Sequence, residues 1–175
     1  LFMMWAYLQP SAKEWDFTLY DAAFRAAEAH HVGIVATLTP SGYPLHLGGD
    51  GTQGVGVTRT AALKAASEDY IRRVVRRYRT SPALDTWLLL NEPGEPPSAS
   101  PLAVDAFRAW LGKRYTSIAA LNIAWGTDFR AFSDVTPPSG RNSWNMTGPI
   151  DWTTFWREFQ TQHLGDMAAT VRAED

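Results

Sequence analysis

The stretch from Leu84 to Gly94, LDTWLLLNEPG, decides the fold of this chain. Residues 84–90 predict a strand, because a short and mostly apolar run bounded by turn residues is typical of strands buried in a parallel sheet. The Pro-Gly pair at its end terminates the strand sharply. Asn91 and Glu92 therefore reach the edge of the sheet at which this strand ends.

Two earlier apolar runs, residues 1–8 and 32–38, also predict strands, and helical patterns separate the three. Strands that alternate with helices indicate parallel βα units and an α/β fold. Strands that are apolar on both faces fit the wall of a (β/α)8 TIM barrel, which needs eight strands and about 250 residues. We therefore predict a partial barrel, from about strand 2 through the helix after strand 4, with residues 1–175 as one fragment of a longer protein.

Apolar residues at three- and four-residue spacing predict the helices. Asp16 is the expected N-cap of the first of them. The segment from Thr39 to Thr60 is rich in Gly and Pro and predicts a long loop, which in a compact domain is usually functional. The predicted helices are Phe17 to about His30, Ala61–Arg79, Leu102–Arg114, Ile118–Trp125 and Trp152–Arg172.

Composition and charge exclude several classes of partner. A formal net charge of -2 gives no reason to expect nucleic acid or an anionic membrane surface, and the apolar runs are too short to span a bilayer. Cysteine is absent, so no disulfide or thiolate metal site is expected. We predict neither a metal nor a cofactor. The compartment stays open, with the cytoplasm slightly favoured over secretion.

Aromatic residues make up 13% of the chain, including 8 Trp. A large aromatic core explains this content. A carbohydrate cleft explains it as well, because indole and phenol rings offer flat apolar faces to the C–H faces of sugars.

Glu92 is the candidate for catalysis. In parallel α/β barrels the active site lies at the carboxyl ends of the strands. A carboxyl group held there against apolar walls keeps its proton more readily, as the general acid of a glycosidase requires. The alternative is that Glu92 caps a turn or pairs with an arginine.

The motif Leu88-Leu89-Leu90-Asn91-Glu92-Pro93 resembles the strand-four signature of the retaining (β/α)8 glycosidases, and within that clan the chain is most similar to the family 42 β-galactosidases. Three pieces carry the resemblance: Trp5 with Gln9-Pro10 and Trp15-Asp16-Phe17; Ala106–Leu111, Arg114-Tyr115 and Leu121–Phe129; and Asp134, Pro137-Pro138, Asp151-Trp152 and Phe155.

The resemblance implies roles for individual residues. Glu92 becomes the general acid/base, Asn91 contacts the sugar, and Trp5 lies near the sugar. Arg130 stands where the family has a tryptophan that lines the sugar pocket. The nucleophile is expected outside this chain, so the fragment alone is expected to be inactive. The full-length protein is expected to bind a carbohydrate substrate and to form a possible homo-oligomer.

The sequence departs from the family in ways that leave specificity open. The family usually has Tyr or Phe in place of Pro93, and its members often hold zinc with cysteines that this chain lacks. His46 and Asp50 lie in the glycine-rich loop and are further candidates for substrate binding. His30 and His31 fit the end of a helix, and His163 is expected in the core.

Three alternatives to a β-galactosidase stay open. One is a family-5-like β-glucanase or mannanase, since Asn-Glu-Pro is common there. Another is a carbohydrate-binding barrel without catalysis. The third is an unrelated α/β domain in which Glu92 is structural.

Overall fold

The structure is a computed structural model that describes residues 1–40, 42–48, 60–91, 97–138 and 144–175. The chain divides into two compact units, residues 1–95 with 164–175, and residues 96–163. Across the described residues, no helix is long and apolar enough to cross a membrane.

The first unit is a parallel sheet with helices. Strands β1 (Phe2–Met4), β2 (Ile34–Thr39) and β3 (Leu84–Leu88) lie in the order β1-β2-β3. Between β1 and β2 the chain forms helices α1 (Trp5–Leu8) and α2 (Thr18–His30), and between β2 and β3 it forms α3 (Ala61–Tyr78). The predicted α/β class is confirmed, and the sheet is open, because three strands do not close a barrel.

One face of the sheet forms the core of this unit. Met3, Ala36 and Leu38 are fully buried, as are Ile71 and Val74 of α3. The sheet register places Phe2 beside Thr37 and Thr37 beside Leu88. Phe2 and Leu88 are more than two fifths exposed, whereas Thr37 between them is buried.

The first strand is shorter than the sequence predicts. Residues 1–8 were expected to form one strand, but the strand ends at Met4 and Trp5–Leu8 form a single helical turn. The indole of Trp5 donates to Oε1 of Gln9, four residues on, at 2.8 Å. An apolar run of this length does not distinguish a strand from a buried helical turn. The strand β3 likewise ends two residues before the expected Leu90.

The second unit is helical. It contains α4 (Pro101–Arg114), α5 (Ile118–Trp125) and the first part of α6 (Thr147–Glu174), while residues 164–174 of α6 belong to the first unit. The bounds of α5 agree with the prediction. The helix α6 begins five residues before the expected Trp152, because Pro149 lies in its first turn, where the missing N–H costs nothing.

Side-chain caps begin several of these helices. The predicted N-cap Asp16 is wrong, because Phe17 is the N-cap of α2 and its side chain makes no cap bond. Asp16 lies one residue earlier and accepts a hydrogen bond from the Thr18 N–H at 2.8 Å. The N-caps of α3, α4 and α5 each accept a hydrogen bond from the backbone N–H three residues on; they are Thr60, Ser100 and Ser117. Each cap satisfies one backbone N–H that has no partner within its own helix.

Candidate active site

The carboxyl ends of β1, β2 and β3 lie at one edge of the sheet, because the three strands are parallel. Asn91 lies three residues after the end of β3 and is exposed. Trp5 follows β1 directly at this edge, and Asn91 follows β3 along the chain. Glu92 and Asp50 lie outside the described residues, so their roles stay predictions.

Tyr70 of α3 joins the carboxyl ends of two strands. Its hydroxyl donates to the carbonyl of Met3 in β1 and accepts from the N–H of Thr39 in β2 at 3.1 Å. The side chain is fully buried, and this burial raises the pKa of the phenol above its ordinary value. A neutral hydroxyl that both donates and accepts thus completes the carboxyl end of the β1–β2 ladder.

Tyr20 of α2 provides a second contact at the same edge. Its hydroxyl accepts from the N–H of Met4, the last residue of β1, at 2.8 Å. Burial raises the pKa of Tyr20 as well. Two helices therefore hold the end of β1 through tyrosine hydroxyls rather than through apolar contacts alone.

Trp5 lies directly behind this edge and is 1% exposed. Its ring stacks on Tyr70 with centroids 5.2 Å apart and planes 19° apart. Its only ring N–H is occupied by Gln9. A substrate-binding role for Trp5 stays a prediction, and it requires the indole to leave this stack.

The segment after β2 returns to the same place. Ala6 donates its N–H to the carbonyl of Gly42 at 2.9 Å, and a Cβ at Gly42 would lie 3.0 Å from the Cε of Met4. Tyr43 is 7% exposed and its ring centroid lies 6.4 Å from that of Trp5. The close approach of backbone and side chain requires a small residue at position 42.

His46 lies in the 3-10 turn Leu45–Leu47 that continues this segment, and its side chain is exposed. A role for His46 in substrate binding stays a prediction. Sequence reasoning identified His46 but missed Tyr43, although an aromatic residue between Gly42 and Pro44 could have marked an anchored loop.

Arg130 belongs to the second unit and is exposed. The segment before it is held by Asn122, whose Nδ2 donates to the carbonyl of Phe129 at 2.8 Å. The Oδ1 of Asn122 accepts from the Phe129 N–H at 3.0 Å and from the Thr127 hydroxyl at 2.9 Å. The side chain of Asn122 therefore fixes residues 127–129, and with them the backbone that precedes Arg130.

Asp151 is the centre of a buried polar network in the second unit and is 1% exposed. Its Oδ2 accepts from the Tyr115 hydroxyl at 2.5 Å and from the Trp125 indole N–H at 2.9 Å. The Nε of Arg114 lies 3.0 Å from Oδ1. Burial, and then the bond to Asp151, raise the pKa of Tyr115. Sequence reasoning placed these four residues in the family motif without seeing that they meet.

The remaining residues are two histidines at the end of α2 and, in the second unit, one histidine and three tryptophans. His30 ends α2 and His31 follows it in the left-handed conformation. His163 is buried, as are Trp152 and Trp156, whereas Trp110 is only partly buried. The described part of the chain contains no group of three His, Cys, Asp or Glu residues that could hold a metal ion.

Nearly the whole chain matches one family. The family model for glycoside hydrolase 42, described as β-galactosidase, matches residues 2–173. A β-galactosidase of an Arthrobacter species is 33% identical over 159 residues, which cover 77% of this chain and 23% of that enzyme. The probable mannan endo-1,4-β-mannosidase C of Aspergillus terreus is 28% identical over 193 residues, covering 90% of this chain and 47% of that protein.

Solved structures give the same fold. The cold-adapted β-galactosidase from Rahnella sp. R3 superposes with a TM-score of 0.78 at 18% identity, covering 98% of this chain and 28% of that one. The chain thus spans about a quarter of the length of the β-galactosidases it matches, with 23% of the Arthrobacter enzyme and 28% of the Rahnella enzyme covered. The resemblance predicted from the sequence is confirmed.

Proposed function

Because the chain belongs to the glycoside hydrolase 42 family, we propose that it is part of the catalytic barrel of a β-galactosidase that cleaves its substrate with retention. Both units belong to this one barrel fragment, which runs from about strand 2 through the helix after strand 4. The observation that supports the proposal best is the position of Asn91, three residues after the parallel strand β3 and next to Glu92 in sequence, in a chain that this family matches over residues 2–173.

Glu92 is the general acid/base of this reaction. It protonates the departing oxygen in the first step and then takes a proton from the attacking water in the second. Asn91 binds the sugar beside it. His46, Arg130 and Trp5 are the further candidates for sugar contacts, of which Trp5 needs the movement described above.

The nucleophile lies outside this chain. Retention requires a second carboxylate about 5 Å from the first, and β1, β2 and β3 supply only the Asn91-Glu92 end of the site. The 175-residue chain by itself should therefore hydrolyse an aryl β-galactoside no faster than buffer does.

The test uses the full-length enzyme and a series of aryl β-galactosides with different leaving groups. Glu92→Gln should lower kcat/KM, which reports the first step, by about 10²- to 10⁴-fold for poor leaving groups, because they depart only when protonated. Galactosides with strongly acidic phenols should lose much less in the first step. Glu95→Gln, three residues on, is the matched control and should retain activity. Equal losses across the whole series would contradict the assignment.

A second candidate activity is mannoside hydrolysis, favoured by the similarity to the Aspergillus protein named as a mannosidase. The two sugars differ at C2 and C4, so one site does not bind both equally. Comparing kcat/KM of the full-length enzyme for the aryl β-galactoside and the aryl β-mannoside separates them. We expect galactoside to be preferred, and a preference for mannoside would replace this part of the proposal.

A further inference from the structure

The geometry at the ends of β1 and β2 points to Tyr70 as a positioning residue for sugar binding. We propose that its hydroxyl sets the arrangement of these two strand ends, and through them the placement of the segment that carries His46. The inference rests on the proposed function, since it assigns to this edge the binding of the galactoside.

The first observation is the hydroxyl's place in the backbone. It contacts the carbonyl of Met3 and the N–H of Thr39, which are the next pair in the ladder after the bond from the Thr37 N–H to the Leu1 carbonyl. No phenylalanine could make either contact. The hydroxyl therefore acts at the point where the two strands stop pairing and begin their separate turns.

The second observation is that the same side chain supports both of those turns. The ring of Tyr70 stacks on Trp5, which begins the turn after β1. Trp5 in turn lies beside Tyr43, in the segment after β2, and the Ala6 N–H bonds to the Gly42 carbonyl. Loss of the Tyr70 hydroxyl would therefore move the turn after β1 together with the segment from Gly42 to Gly48.

The effect should fall on substrate binding rather than on the chemical step. Tyr70 contacts β1 and β2, whereas the proposed acid/base follows β3 along the chain. Contacts that hold the sugar equally in the ground state and the transition state alter KM and leave kcat unchanged. A loss confined to KM thus distinguishes positioning of the binding segment from a general loss of folded enzyme.

The helix α3 provides a matched control at its other end. The hydroxyl of Tyr78 likewise donates within the first unit, to the Oδ1 of Asp21, at 2.9 Å. Tyr78 is likewise buried, and its ring stacks on Phe24. Tyr78→Phe therefore removes a hydroxyl of the same kind from the same helix without touching the ends of β1 and β2.

The experiment compares Tyr70→Phe and Tyr78→Phe in the full-length enzyme. Tyr70→Phe should raise KM for an aryl β-galactoside by about five- to tenfold, the equivalent of one or more lost hydrogen bonds, with kcat nearly unchanged. Tyr78→Phe should leave both constants near wild type. The same rise in KM in both variants, no rise in Tyr70→Phe, or a fall in kcat alone would overturn the inference.

Amide hydrogen exchange gives a readout that does not need activity. Tyr70→Phe should speed exchange in the peptides that cover residues 1–10 and 37–48, whereas Tyr78→Phe should not. If the wild-type enzyme hydrolyses no galactoside, the proposed function fails, but exchange still tests the arrangement of the strand ends. Unchanged exchange in Tyr70→Phe would overturn the inference whatever the activity.

Discussion

The two units satisfy the hydrogen bonds of their buried polar groups in different ways. In the first unit the strands β1, β2 and β3 pair their backbone groups, and tyrosine hydroxyls complete the ladder where it ends. In the second unit the described residues form helices, and one carboxylate, Asp151, collects the buried donors of neighbouring segments. The difference separates the proposed site from the stabilising contacts. The proposed site lies at strand ends in the first unit, whereas in the second unit Asp151 accepts buried hydrogen bonds from Tyr115 and Trp125.

The largest effect is expected from Phe107→Ala in the second unit. Phe107 is 0% exposed, and its ring lies 4.7 Å from that of Trp152 and 5.1 Å from that of Phe155. Removing it should lower the free energy of unfolding by about 3–5 kcal/mol, because a cavity is left between rings. Urea unfolding measures the loss. Ile123→Ala, at a position 84% exposed, is the control and should change stability by less than about 0.5 kcal/mol.

The next effect is expected from Asp151→Ala, which tests the polar network directly. The buried donors of Tyr115 and Trp125 lose their acceptor, so the free energy of unfolding should fall by about 2–4 kcal/mol. Asp151→Asn keeps one acceptor oxygen and should cost less. Asp105→Ala is the control, because Asp105 pairs with Arg108 on the surface and its side chain is 77% exposed. Equal losses at positions 151 and 105 would contradict the account of this unit.

The smallest effect concerns a surface pair in the first unit. The hydrogen bond from Arg77, with smaller help from Tyr78, holds the pKa of Asp21 below its ordinary value. A lowered carboxyl pKa adds stability that is present above about pH 4, the ordinary aspartate value, and is lost as the pH falls below it. The contribution should stay below about 1 kcal/mol, because the Arg77 side chain is 45% exposed.

Unfolding in urea at pH 6 and pH 3 measures this contribution when wild type is compared with Asp21→Asn. The difference between the two proteins should shrink at pH 3. Asp69→Asn removes the exposed partner of Arg73 and serves as the control pair, with both side chains about half exposed. A difference at Asp21 that grows on acidification would have the wrong sign for this explanation.

The sequence predicted the elements whose patterns and caps agree. Ile118–Trp125 was predicted with its exact bounds from its apolar residues, and the structure shows Ser117 capping its start and Gly126, in the left-handed conformation, at its end. The helix at Ala61–Tyr78 was found to within one residue, again with a capping residue, Thr60, before it. Local rules therefore suffice where the beginning and the end of an element carry their own signals.

Errors arose where tertiary contacts decide the local structure. Residues 5–8 became a helical turn because Trp5 stacks on Tyr70, a partner 65 positions away that no local pattern reveals. The same is true of the site. Asn91 and His46 could be placed at a strand end or in a loop from the sequence, but the roles of Tyr70 and Asp151 depend on contacts between distant segments. From residue type alone, Tyr70 is expected to be a core aromatic residue and Asp151 to be a surface acid.

The central claim is that Glu92 is the acid/base of a retaining galactosidase, and azide rescue of Glu92→Gly in the full-length enzyme tests it most directly. With an activated aryl β-galactoside, the variant should still form the galactosyl-enzyme, and azide should then attack it in the second of two inverting steps. The account predicts faster turnover with azide and β-galactosyl azide as the product. Accumulation of α-galactosyl azide would identify Glu92 as the nucleophile. If Glu92→Gly instead has wild-type activity that azide does not change, Glu92 has no part in the chemistry.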